Sequence, residues 1–215
     1  MANRAALIAK LSQDLAPVKR APNVNLVASA WFMVSAIYVV AIIHIFGPIR
    51  PGAFAQLSES PRFLFEMLLG LVAIYWLSLQ AFRDAVPGVL SQRFMMFGFG
   101  LMLLWWTQYV IGLAAPALEP SSLGVRHFCL YETMLYSIPP IYFAWYLVRR
   151  FYPLKPMRTA ISLSLAAGMM PAFYMQFACM YAPAHTLKFH IAPGLVMMLV
   201  GIGLAWRWRP DQQVS

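Results

Sequence analysis

The sequence predicts an all-α integral membrane bundle of six transmembrane helices, preceded by a short cytoplasmic N-terminal amphipathic helix. Three observations predict it. Hydrophobic residues make up 61% of the 215 residues and charged residues only 11%, against roughly 45–50% and 25% in soluble domains. The apolar residues gather into runs near the length of about 20 residues that a bilayer crossing requires. The gaps between the runs are short and rich in Pro, Gly and charge, as in Gly47-Pro48-Ile49-Arg50-Pro51-Gly52, Val86-Pro87-Gly88 and Tyr152-Pro153-Leu154-Lys155-Pro156, where helices do not easily continue.

The runs place spans at Val24–Phe46, Phe63–Phe82, Phe94–Ala115, Phe128–Val148, Ala160–Tyr181 and Phe189–Trp206. Pro139-Pro140 in the fourth and Pro171 in the fifth break the helical ladder and predict kinks there. The first 22 residues are basic but lack the short apolar core and small-residue cleavage site of a signal peptide, so the first span is expected to remain as an anchor. Within that tail, Leu7, Ile8, Leu11 and Leu15 recur at helical spacing with Lys10, Gln13 and Asp14 largely opposite, until Pro17 ends the helix. Such a stripe fits either the surface of the inner leaflet or a groove on a protein partner.

Charge sets the orientation. With both termini inside, the inner segments hold Arg4, Lys10, Lys19, Arg20, Arg83, Arg93, Arg149, Arg150, Lys155, Arg158, Arg207 and Arg209, which is 12 of the 16 basic residues. Only Arg50, Arg62, Arg126 and Lys188 remain outside. The inverted topology opposes the positive-inside rule. A net charge of +9 is thereby explained by span ends meeting lipid headgroups, and direct nucleic-acid binding is not expected. The chain divides into a tail of residues 1–22, a six-helix domain of 23–207 and a C-terminal tail of 208–215.

This topology collects chemistry at the outer face. Cys129 starts the fourth span and Cys179 ends the fifth, while His44, His127, His185 and His190 all fall at the same side. Two cysteines in so long a chain form no disulfide scaffold, and no CxxC or CxxCH pattern occurs. Three readings stand: small buried hydrophobes, a reversible disulfide if the Cα atoms come within about 7 Å, or soft-metal ligation helped by His127, His185 or His190. The histidine spacings match no standard zinc signature. Glu66 and Glu132 lie within the second and fourth spans, where a carboxylate needs a partner or has a role; Arg62, Arg126 and Lys188 are the cations within reach. No cofactor is expected beyond a transient metal ion.

The ordered set of Leu11-Ser12-Gln13-Asp14-Leu15-Ala16-Pro17-Val18, Phe63-Leu64-Phe65-Glu66, Val86-Pro87-Gly88, Cys129 followed by Ser137-Ile138-Pro139-Pro140, Pro153-Leu154-Lys155-Pro156, and Cys179 before a closing segment with His190 resembles the NrsF-like negative regulators of sigma F. The resemblance runs from the tail to the last span. It implies a bacterial inner-membrane anti-sigma factor, not an enzyme and with no catalytic residue. Its cytoplasmic tail would hold an extracytoplasmic-function (ECF) sigma factor and release it on heavy-metal or oxidative stress. The resemblance assigns sensing to Cys129 and Cys179 and sigma binding to Leu11, Asp14, Leu15, Pro17 and Val18, which the tail's stripe extends to Leu7. The chain reads Phe177-Ala178-Cys179-Met180 rather than a His-x-Cys pattern, which argues against metal binding at that spot. The alternative from another class is a small membrane redox or haem-binding electron-transfer protein, with His44 and His190 as axial ligands. A transporter is disfavoured by the absence of an internal repeat.

Overall fold

The computed structural model describes residues 2–13, 22–151 and 153–207. Their regular secondary structure is helical, without a strand among the described residues. The elements are α1 (Ala2–Gln13), α2 (Val24–Phe46), the short α3 (Ala55–Glu59), α4 (Pro61–Asp84), α5 (Gln92–Gly112), α6 (Cys129–Val148), α7 (Pro156–Ala178) and α8 (Pro183–Arg207). Their starts follow the local chemistry. Asn23 accepts from the amides of Asn25 and Leu26, Ser60 from Phe63 and Ser91 from Phe94, which satisfies donors left free at a helix N-terminus. Proline opens α4, α7 and α8, where its missing amide costs nothing.

Five helices are long and apolar enough to cross a membrane: α2, α4, α5, α7 and α8. The sixth expected span, α6, is present as a helix of 20 residues but does not qualify with those five. Its four tyrosines, Glu132, Pro139 and Pro140 dilute the apolar run. The helix continues through both prolines, and the Trp31 indole of α2 donates to the Pro140 carbonyl at 3.1 Å.

Helix α7 is the centre of the bundle. In its apolar window 72% of residues are buried, compared with 22% in α5, and it packs against α2, α4, α6 and α8. Small residues permit the closest approach. A Cβ on Gly168 would lie 2.5 Å from the Gly194 carbonyl oxygen, and one on Gly201 would lie 2.1 Å from Ser164 Oγ, so glycine brings the α7 and α8 backbones together as in other membrane helix pairs. At the opposite end of α7 from Cys179, Arg158 and the Thr159 hydroxyl bind the Asp84 carboxylate at the end of α4.

In α1, Leu7 and Ile8 are exposed. The Leu11 side chain, and Asp14, Leu15, Pro17 and Val18 altogether, lie outside the described residues, as does the segment 208–215.

Candidate functional site

The start of α6, the end of α7 and the start of α8 meet at one end of the bundle. Cys129 opens α6, and its thiol donates to the Arg126 carbonyl at 2.7 Å. Arg126 is itself fixed: its guanidinium grips Glu132 at 2.9 and 3.3 Å and donates to the carbonyls of Ile43 and Pro48. Glu132 stands in the first turn of α6, where a carboxylate is favoured by the helix dipole. The loop before α6 and the end of α2 are thus tied to Cys129's own helix.

Cys179 follows the last residue of α7. Its amide donates to the Met175 carbonyl at 2.7 Å and its backbone is extended. The span expected to reach Tyr181 therefore stops three residues earlier, which turns Cys179 toward α6. The two sulfurs lie 3.2 Å apart, and His185 Nε2 is 3.5 Å from Cys129 Sγ and 3.4 Å from Cys179 Sγ. Both cysteines are free and buried. With His190, the four donors all lie within 4.8 Å of one another.

His185 and His190 are five residues apart, which on an α-helix separates side chains by about 140° around the axis. The chain removes that separation with a π-helical turn over Thr186–Ile191, whose wider i→i+5 closure stacks residues five apart. Pro193 supplies a cause. It has no amide to offer the Phe189 carbonyl, and its ring crowds that position in α geometry. The two imidazole centroids consequently lie 5.0 Å apart.

Electrostatics favour one sulfur as the thiolate. The hydrogen bond with Cys129 draws the Cys179 thiol well below its ordinary range, and His185 adds to this. Arg50 is buried beside it, its amide donating to the Phe177 carbonyl and its side chain to the Gln176 carbonyl; burial lowers the Arg50 pKa. His190 is fully buried, and neither of its ring nitrogens has a hydrogen-bond partner. A buried imidazole left unsatisfied is costly. Two thiols and two imidazoles converging on one point fit a tetrahedral soft or borderline metal ion, and such an ion would satisfy His190. No His-x-Cys pattern precedes Cys179; the imidazoles beside it come instead from His185 and His190 of the next helix.

The remaining expected residues fall elsewhere. His127 is exposed and stands outside the four-donor group, while His44 bonds to the Tyr174 hydroxyl at 2.9 Å. Glu66 is buried next to Arg62 at 3.7 Å and the Tyr181 hydroxyl at 3.5 Å. Glu66 and Glu132 are therefore both paired, with Arg62 and Arg126 as partners. Arg50, Asp84 and Arg158 carry tertiary contacts that their positions in the sequence do not announce.

Comparison with known proteins returns one family model, described as NrsF, negative regulator of sigma F, which matches residues 11–209. No curated protein and no solved structure matches the chain. With nearly the whole chain covered, including every residue of the four-donor group, the chain belongs to the NrsF family of negative regulators of sigma F.

Proposed function

We propose that this family member is an inner-membrane anti-sigma factor with both termini in the cytoplasm. Its tail, residues 1–22, sequesters an ECF sigma factor through Leu7, Leu11, Asp14, Leu15, Pro17 and Val18. Heavy metal or oxidant acting at Cys129 and Cys179 on the outer face releases it. The family supports the regulatory, non-enzymatic role, and the excess of basic residues on one side supports the orientation.

The observation that carries the sensing role is the buried pair of sulfurs 3.2 Å apart with His185 against both. Two chemistries are open to it. In oxidation, the two thiols lose two protons and pass two electrons to the oxidant as the S–S bond forms. In metal binding, Cys129, Cys179, His185 and His190 would hold the ion, which supplies bonds that reward one arrangement of α6, α7 and α8. Oxidation would close the sulfurs from 3.2 Å to a bond of about 2.05 Å, and a metal ion would be held by Cys129, Cys179, His185 and His190 together, so either event would change how the end of α7 packs on α6. A tenfold loss of sigma affinity requires about 1.4 kcal/mol of differential binding between the two states, well within either chemistry.

The test is co-purification of the neighbouring sigma factor with the intact protein and with its Cys129→Ser/Cys179→Ser form, before and after diamide or cadmium. The proposal expects the wild type to lose sigma on treatment and the double variant to keep it. Retention by both forms after treatment, or a Leu15→Asp tail that still holds sigma, refutes it.

A further inference from the structure

A second site lies away from the cysteines, between the C-terminal ends of α6 and α8. A groove of about 480 Å³ is lined there by Tyr142, Trp145, Tyr146, Arg149, Leu204 and Arg207. Arg149 and Arg207 are exposed at its rim. The ion pairs among the described residues use Arg62, Arg126 and Arg158. No described carboxylate answers Arg149 or Arg207. Arg149 is held by an aromatic contact, its guanidinium 5.0 Å over the Tyr146 ring, with Arg150 4.4 Å over the same ring.

We infer that this groove binds the anionic headgroup of a glycerophospholipid. Two guanidiniums present the forked donors suited to a phosphate diester. The Tyr142 phenol offers a hydroxyl at the depth where membrane proteins place amphipathic rings, the Tyr146 hydroxyl accepts from Arg150 and keeps its own proton to donate, and Leu204 gives an apolar wall for the start of an acyl chain. Lipid is favoured over a soluble anion because α8 is long and apolar enough to span a bilayer and the groove opens at its end, level with the headgroup layer. Basic pockets between helices at the cytoplasmic side have the character of anionic-lipid sites. The inference uses the membrane orientation proposed above but not the sigma-binding role.

The experiment is calorimetric titration of the purified full-length protein, in neutral detergent, with dioctanoyl phosphatidylglycerol, dioctanoyl phosphatidylcholine and inorganic phosphate. Each direct guanidinium–phosphate contact is worth roughly tenfold in affinity, so phosphatidylglycerol should bind roughly a hundredfold more weakly to Arg149→Gln/Arg207→Gln. The control Arg93→Gln/Lys155→Gln removes the same charge outside the groove and should bind as the wild type does. Single Arg207→Gln, with its thermal midpoint measured, guards against a folding defect and should show an intermediate loss. Equal binding of the two lipids, or an equal loss in the control, overturns the inference. Inorganic phosphate competing at the same concentration as phosphatidylglycerol would assign the groove to a free anion and overturn it too. If the groove variant keeps phosphatidylglycerol but loses the sigma factor, the arginines serve a protein contact instead; loss of lipid with sigma retained supports the inference.

Discussion

Removing Arg126 tests how the cysteine end of the bundle is held together. Its guanidinium makes five hydrogen bonds, two to Glu132, two to Ile43 and one to Pro48. The side chains of Arg126 and Glu132 are 6% and 16% exposed. Breaking a fully buried pair costs about 3–5 kcal/mol because a charge is left without a partner. Water reaches part of Glu132, and screening reduces the cost of Arg126→Ala to about 2–3 kcal/mol. At about 2–4 °C per kcal/mol for a chain of this size, the thermal midpoint should fall by about 4–12 °C. Adding Glu132→Gln removes the stranded charge and should recover roughly half of that, leaving the lost carbonyl contacts as the remainder. The guanidinium also anchors the loop whose carbonyl at residue 126 accepts from Cys129, so releasing that loop with Arg126→Ala should speed maleimide labelling of Cys129. Differential scanning fluorimetry and labelling in one detergent read both effects. A midpoint within 1 °C of the wild type, or a double variant no more stable than the single, would refute the reasoning.

Other outcomes follow from the same geometry. Diamide should close an intramolecular Cys129–Cys179 disulfide, seen as loss of both titratable thiols without a dimer on non-reducing gels; dimers in place of thiol loss contradict it. Absorbance at 240 nm should show one thiolate persisting below the usual thiol range of about 8.5, and Cys129→Ala should move that titration upward by deleting the sulfur that is hydrogen-bonded to Cys179. An unchanged profile argues against the hydrogen bond. Gly168→Val, whose Cβ would meet the Gly194 carbonyl oxygen at 2.5 Å, should cost about 1–3 kcal/mol through overpacking and weaken cadmium binding by moving α8 and its histidines. Gly203→Ala, with nothing within 4 Å, should be neutral or slightly stabilising in the same melting assay.

Much of this was readable from residue order. The apolar runs mark the helices, but α4, α5 and α7 begin at Pro61, Gln92 and Pro156, ahead of the expected Phe63, Phe94 and Ala160, because the polar caps Ser60 and Ser91 and the opening prolines extend a helix beyond its apolar run. Antiparallel succession of α6 and α7 brings Cys129 and Cys179 to one end, and Arg62 and Arg126 were already the nearby partners for Glu66 and Glu132. The histidine pair was not readable. A spacing of five puts His185 and His190 on different sides of an α-helix, and only the π turn made by Pro193's neighbourhood aligns them. His127, adjacent in sequence to the site, points outward. Asp84 and Arg158 are 74 positions apart, so no local pattern links them. The polarity of α6 is divided between its faces: Thr133, Tyr136 and Ser137 are buried among neighbours while Tyr131, Tyr142 and Tyr146 are exposed, and a hydropathy window averages over both.

Helix α7 is fastened at both ends, by the sulfurs and the Arg50 loop at Cys179 and by Asp84 through Arg158 and Thr159 at its beginning. It behaves as a taut rod clamped in series. Asp84 belongs to α4, so sliding α7 lengthwise past α4 strains those bonds at once. The Arg158 Nε and Thr159 Oγ1 contacts are 3.1 and 2.9 Å, and an extension of roughly half an ångström already takes them toward the limit of a hydrogen bond. The rod therefore has almost no slack. A displacement at one end, such as the proposed sulfur chemistry would impose, must be absorbed by bending near Pro171 or delivered, nearly undiminished, to the other.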